Sequence, residues 1–110
     1  MSSILTDTKK LLGIAEDYTA FDADVILSTN SALAELTQIG VGPETGFSIA
    51  SKTETWEDFI GEDPRLSMVQ QTVYMMVRLS FDPPSTSYHT AAMKEQVTRL
   101  VWRLNAEVDV

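Results

Sequence analysis

The sequence contains no cysteine and only one histidine, His89, among its 110 residues. The absence of cysteine excludes disulfides, thiolate zinc sites, iron–sulfur clusters and cysteine nucleophiles. A single histidine leaves no metal site built from several imidazole ligands. Cysteine-based catalysis and metal sites built from cysteine or from several histidines are therefore excluded.

Long apolar runs are also lacking, since no stretch approaches the roughly 18 residues that a membrane-spanning helix needs. The first residues, Met-Ser-Ser-Ile-Leu-Thr-Asp, show neither the basic region nor the apolar stretch of a signal peptide. We expect no membrane contact and a chain that resides in the cytoplasm of the cell that makes it. Apolar residues make up 44% of the sequence, which is enough for one folded domain spanning residues 1–110.

Positive charge is scarce, because eight basic residues face sixteen acidic ones and give a formal net charge of −8. Residues 1–63 carry twelve acids and three bases, whereas residues 64–110 carry four acids and five bases. Tight binding to nucleic acid requires a basic surface, so this composition argues against a DNA-binding groove. DNA could still pass near such a protein without being bound.

Apolar residues recur at three- and four-residue steps in most of the chain, which predicts helices. We expect a short first helix over residues 3–12, capped by Thr6 or Asp7, and a second from the N-cap Asp22 to about Ile39. Further helices are predicted at residues 56–60, from Pro64 to Phe81, and from Ser85 or Thr86 to about Asn105. The predicted fold is therefore all-α, a bundle of about five helices in one domain.

Residues 40–53 break the helical pattern and predict one long extended loop or a short β-element. Turn residues fill the first half, and Phe47-Ser48-Ile49-Ala50 alternates as a short strand would. Loops of this length are usually functional or mobile. We expect the loop to reach out of the subunit, with Phe47 and Ile49 docking on a neighbouring molecule.

The last predicted helix carries apolar residues on two faces. One is a narrow stripe that includes Met93, Val97, Leu100 and Leu104, and the other contains Tyr88 and Trp102. The second face indicates either a central helix or a subunit interface, where tryptophan and tyrosine are enriched. The residues predicted to form the core are Trp56, Phe59, Val73, Phe81, Val97, Leu100 and Leu104.

No segment carries a recognisable catalytic or ligand-binding motif. The glycine-rich segment 40–46 lacks the Lys-Ser/Thr of a phosphate loop, and Asp22-Ala23-Asp24 lacks the glycine and glutamate of a calcium loop. The carboxylate pairs Glu57-Asp58 and Glu62-Asp63 have no accompanying base, nucleophile or metal ligand. We expect no catalytic residue, no metal and no cofactor, and therefore no enzyme.

Several segments together resemble the head–tail connector proteins of tailed bacteriophages. Residues 40–49 resemble that family's loop, and Thr55-Trp56-Glu57-Asp58-Phe59-Ile60-Gly61 resembles its next element. Residues 74–84, which end in Phe-Asp-Pro-Pro, resemble its helix break, while Ala92-Met93 and residues 102–105 resemble its terminal helix. The segments follow one another in order over nearly the whole chain. Ser80 departs from the pattern, where an apolar residue is expected.

The resemblance implies a structural virion protein, also called an adaptor or head-completion protein. Such subunits form a ring, typically a dodecamer, between the portal and the stopper or tail-completion protein. The ring extends the channel through which DNA passes without sequence-specific binding. The implied location is the virion neck, after synthesis in the cytoplasm of the host bacterium, and no cofactor is implied.

The C-terminal residues 106–110 alternate apolar and acidic side chains and carry no cap or turn signal. They are either a fraying helix end or an extended tail that inserts Val108 and Val110 into the portal ring. A different class of function also fits the composition. A small acidic helical module, such as a DNA-mimicking inhibitor or a regulator, would have the same charge.

Overall fold

The computed structural model describes the backbone of residues 3–108 and the side chains of residues 3–105. Within these residues the chain forms five helices and no strand, and helix accounts for most of the chain. The predicted all-α fold is thus confirmed. The helices are α1 (Ile4–Leu12), α2 (Asp22–Gln38), α3 (Trp56–Ile60), α4 (Leu66–Phe81) and α5 (Ser87–Val108). None of the described helices combines the length and the apolar character that crossing a bilayer demands.

Helix α4 is the centre of the bundle, because it packs against α1, α2 and α5. Its residues Val69, Val73 and Val77 are fully buried and recur every four positions along one side. A polar residue on this helix, Thr72, is buried too, and its hydroxyl donates to the carbonyl of Met68 over 2.7 Å. The wide apolar circumference of this segment in the sequence therefore corresponds to a helix that is covered by neighbours on several sides.

Helices α1 and α2 complete the main core against α4. The first contributes Ile4 and Leu5, and the second contributes Val25, Ala32, Leu33 and Leu36. The cap of α1 differs from the prediction, since Ser3 accepts the hydrogen bond from the amide of Thr6 instead. Asp22 is the first residue of α2 and does not act as its side-chain cap.

The short helix α3 is stabilised by an N-terminal cap and by a hydrogen bond to α1. Thr55 and Asp58 form a reciprocal capping box, as the expected cap at Thr55 requires. The indole Nε1 of Trp56 donates to the carboxylate of Asp7 over 2.9 Å, which ties α3 to α1. A single antiparallel bridge joins Ser3 to Thr55, and no strand forms at 47–50 among the described residues. The loop alternative is therefore the correct one for this segment.

Helix α5 begins after Thr86, whose hydroxyl accepts from the amide of His89 over 3.2 Å. It continues to Val108, three residues beyond its predicted end at Asn105. The tail is therefore helical over residues 106–108 rather than extended.

The structure places five of the seven predicted core side chains in the interior. Trp56, Phe59, Val73, Leu100 and Leu104 are buried. Val97 and Phe81 are only half-buried, because they lie where α5 and the end of α4 approach the surface. Removing the Phe81 ring should therefore cost less stability than removing a fully buried phenylalanine.

Two leucines on α2 test this description of the core. Leu33 has no exposed surface, whereas Leu27 is 70% exposed. Leu33→Ala should lower the free energy of unfolding by about 2–5 kcal/mol, because it leaves a cavity. Leu27→Ala should change it by no more than about 0.5 kcal/mol. Urea denaturation followed by circular dichroism measures both values, and equal losses for the two variants would contradict this packing.

Candidate assembly surfaces

Helix α5 presents two opposite stripes, because residues three, four and seven apart lie on one side of a helix. The inner stripe meets α4, and its Leu100 and Leu104 are buried. The opposite side, which we call the outer stripe, consists of Tyr88, Glu95, Arg99 and Trp102. Tyr88 is 78% exposed and Trp102 is 71% exposed. Of the two explanations that the sequence left open for these residues, the central helix is thereby excluded for this subunit.

The middle of the outer stripe is charged. The guanidinium of Arg99 donates to the carboxylate of Glu95 over 2.7 Å, and both side chains are largely exposed. Such an ion pair adds little to stability, but it holds Arg99 on the same side as Trp102. The rise of a helix separates Tyr88 from Trp102 by about 21 Å. The stripe is therefore an elongated surface of tryptophan, tyrosine and arginine, the residue types that dominate binding energy in protein interfaces.

The loop between α2 and α3 lies on the core of its own subunit. Asn30 on α2 donates from Nδ2 to the carbonyl of Ile49 over 3.0 Å, and its Oδ1 accepts from the Ile49 amide over 2.7 Å. The ring of Phe47 lies 5.3 Å from that of Phe59, and Gly42 approaches Phe59 so closely that a Cβ would lie 2.4 Å from it. These contacts fix the loop without regular secondary structure.

This arrangement corrects the expectation that Ile49 docks on a neighbour, whereas the expected contact of Phe47 stays a prediction. Ile49 is 3% exposed and belongs to the core cluster, and Phe47 is half-buried against it. The pair of hydrogen bonds from Asn30 turns Ile49 inward. Glu54 closes the far end, where its carboxylate accepts from the amides of Ala50 and Ser51. Desolvation raises the pKa of Glu54, but these hydrogen bonds outweigh it and hold the pKa below its usual value.

A second exposed surface lies where the sequence indicated only a connector. The rings of Tyr18 and Phe21 are 5.7 Å apart, and Phe21 makes an edge contact of 5.6 Å with Phe81. Tyr18 is 50% exposed and Phe21 is 43% exposed. The exposed side chains of Asp17 and Asp24 flank them in sequence. We call Asp17, Tyr18, Phe21 and Asp24 the acidic aromatic patch.

A buried lysine holds this patch in place. Lys9 on α1 is 3% exposed, and its Nζ donates to the carbonyls of Glu16 and Tyr18 over 3.0 and 2.8 Å. The same Nζ lies 2.7 Å from Oδ1 of Asp22, which forms an ion pair with it. Two hydrogen bonds and one ion pair thus compensate the buried charge of the Lys9 ammonium group.

The other titratable residues considered in the sequence have local structural roles. Asp58 belongs to the α3 cap, and the guanidinium of Arg65 binds Asp63 over 2.7 Å and lowers the pKa of that carboxyl. His89 shares a 2.7 Å hydrogen bond with Thr86 at the start of α5. Among the described residues, no group of three histidine or carboxylate side chains is placed to hold a metal ion.

The two residues expected to contact a portal fall at the limit of the structure. Val110 lies outside the described residues, as does the side chain of Val108. Their role stays a prediction.

The chain is similar to a known protein family. A family model described as phage connector protein matches residues 4–110. No curated protein and no solved structure matches the chain. The family match covers all five helices and both exposed surfaces.

The hydrogen bonds of Asn30 generate a test of the loop. Asn30→Ala removes both bonds to Ile49 and should destabilise the loop locally by about 1–3 kcal/mol. Amide exchange at Ile49 should accelerate by about tenfold or more, as measured by hydrogen exchange with NMR or mass spectrometry. Asn105→Ala makes the same chemical change at an exposed position of α5 and serves as the control. Unchanged exchange at Ile49 in Asn30→Ala would contradict the assignment.

Proposed function

This chain belongs to the phage connector protein family, and from that membership we propose that it is the subunit of an adaptor ring in the virion neck. The proposed ring lies between the portal and the stopper or tail-completion protein and extends the DNA channel after packaging. The role is structural, and the residues that perform it are those that contact other protein subunits.

The outer stripe of α5 is the observation that carries this proposal. Tyr88 and Trp102 are more than two-thirds exposed on one side of the helix, so they contribute little to the stability of a monomer. A ring subunit needs such surfaces, because each copy must contact a neighbour on either side. Tryptophan, tyrosine and arginine supply large contact areas that become favourable once a neighbour covers them.

The charge of the chain suits a channel that DNA must cross. The net charge of −8 repels phosphate, and the first 63 residues hold twelve of the sixteen acids. A wall of this kind lets DNA pass without sequence-specific contacts. We propose a ring, typically a dodecamer in this class of protein, that assembles in the host cytoplasm and remains in the virion.

The C-terminus is the proposed contact with the portal. Val108 and Val110 are the two valines of residues 106–110, and Val108 is the last residue of α5. Burying two valines would contribute roughly 3–5 kcal/mol per subunit before ordering costs. A ring repeats this contribution in every subunit, so modest single contacts give firm attachment.

Replacement of Trp102 tests the proposed function. Trp102→Ala should leave the fold intact, because the side chain is mostly exposed, and should weaken self-association at least about thirtyfold, as loss of an interface anchor does. Co-sedimentation with portal-bearing, DNA-filled heads measures the effect. Leu27→Ala, which removes an equally exposed apolar side chain from α2, is the control.

Two results would contradict the proposal. Trp102→Ala that co-sediments as fully as the wild type would show that the outer stripe is not a subunit contact. A wild-type chain that does not bind such heads would reject the adaptor role and favour a small acidic binding module instead.

A further inference from the structure

We propose that the acidic aromatic patch of one subunit is the surface on which the outer stripe of the next copy docks. This inference rests on the proposed ring and names the two faces that meet in it. The occupant of the patch is a second copy of this chain. The contact is head-to-tail, since the two surfaces are different and lie on different parts of the subunit.

The patch and the Trp102 end of the outer stripe lie near opposite ends of α4. Phe21 contacts Phe81, the last residue of α4, so the patch lies at the C-terminal end of that helix. Leu100 and Arg103 line a hollow together with Pro64 and Met68, so this part of α5 lies near the N-terminal end of α4. Trp102 belongs to the same turn of α5. A subunit therefore cannot cover its own patch with its own Trp102.

This placement determines what kind of assembly can form. When the stripe of one copy covers the patch of the next, each pair keeps one free stripe and one free patch. Further copies add in the same way until the chain of subunits closes into a ring. A contact between two identical stripes would instead end at a dimer.

The charges of the two surfaces are complementary. Asp17 and Asp24 are exposed, and neither has an ion-pair partner among the described side chains. Arg99 and Arg103 are exposed beside Trp102; Arg99 pairs with Glu95, and Arg103 leaves this end of the stripe with an excess of positive charge. Arginine pairs with carboxylates and also stacks on aromatic faces such as those of Tyr18 and Phe21. The acidic residues 1–63 thus supply the patch, and the more basic residues 64–110 supply the arginines that would face it.

The backbone under both surfaces is already hydrogen-bonded within the free subunit. Lys9 fixes the backbone of the patch through the carbonyls of Glu16 and Tyr18, and the outer stripe lies on a continuous helix. Docking therefore orders few groups, which preserves the favourable energy of the contact.

Cross-linking of introduced cysteines tests the head-to-tail contact directly, because the natural chain has none. We would treat portal-bearing heads loaded with full-length Asp17→Cys, Arg99→Cys, or a mixture of both with a short bis-maleimide. The mixture should give dimers at least about tenfold more efficiently than either variant alone. A chain that carries both substitutions should give a ladder of higher oligomers. Glu44→Cys, at an exposed position of the loop, replaces Asp17→Cys in the control mixture.

Charge reversal supplies an independent second measurement. Asp17→Arg with Asp24→Arg, or Arg99→Glu with Arg103→Glu, should each weaken co-assembly about tenfold or more, since like charges then face each other. Mixing the two double variants should restore assembly, because the reversed patch of one matches the reversed stripe of the other. Glu44→Arg controls for the change in net charge.

The outcomes separate this inference from the proposed function. Wild-type binding to heads, combined with preferential cross-linking of the mixture and rescue by mixing, supports the head-to-tail contact. If the wild type binds heads, any one of three results overturns the inference while the adaptor role stands. The first is that Arg99→Cys cross-links mainly to itself. The others are that the mixture cross-links no more than the Glu44→Cys control mixture, or that mixing the charge-reversed variants does not restore assembly. Absence of wild-type binding overturns both.

Discussion

The packing of α4 is the constraint on which the rest of the structure depends. Three helices cover it, and its residues Val69, Val73 and Val77 are fully buried between them. Helix α5 contributes to this core mainly through one stripe against α4. Because this 22-residue helix packs against the core along a single stripe, its opposite side is exposed. The outer stripe with Trp102 is thus a direct consequence of how α4 is shared among its neighbours.

Two polar side chains hold segments without regular secondary structure against the helices. Asn30 binds both backbone groups of Ile49, and buried Lys9 binds two carbonyls of the connector before α2. Each projects from a helix and satisfies backbone groups that would otherwise lie unpaired near the core. The first keeps a long loop against its own subunit, and the second presents Tyr18 and Phe21 in a fixed arrangement. Hydrogen bonds from a helix side chain to loop backbone therefore bury Ile49 in one case and keep Tyr18 and Phe21 at the surface in the other.

Sequence periodicity was sufficient to predict the helices, because the spacing of apolar residues reflects which side of each helix is buried. It also identified Trp102 as lying opposite the inner stripe of α5. It failed for Ile49, because the inward turn of that residue depends on Asn30, nineteen positions earlier. It missed the acidic aromatic patch for a similar reason. Tyr18, Phe21 and Phe81 come together only through tertiary packing, and no local pattern marks Lys9 as the residue that fixes them.

We propose that this chain forms a ring beneath the portal whose neighbouring subunits meet through α5. Cryo-electron microscopy of portal-bearing, DNA-filled heads, prepared with and without the chain, tests it most directly. We expect additional density below the portal, resolved as a ring of five-helix subunits with Trp102 of each buried against the next. A neck that is identical in the two preparations, or a ring in which Trp102 remains exposed to solvent, would contradict it.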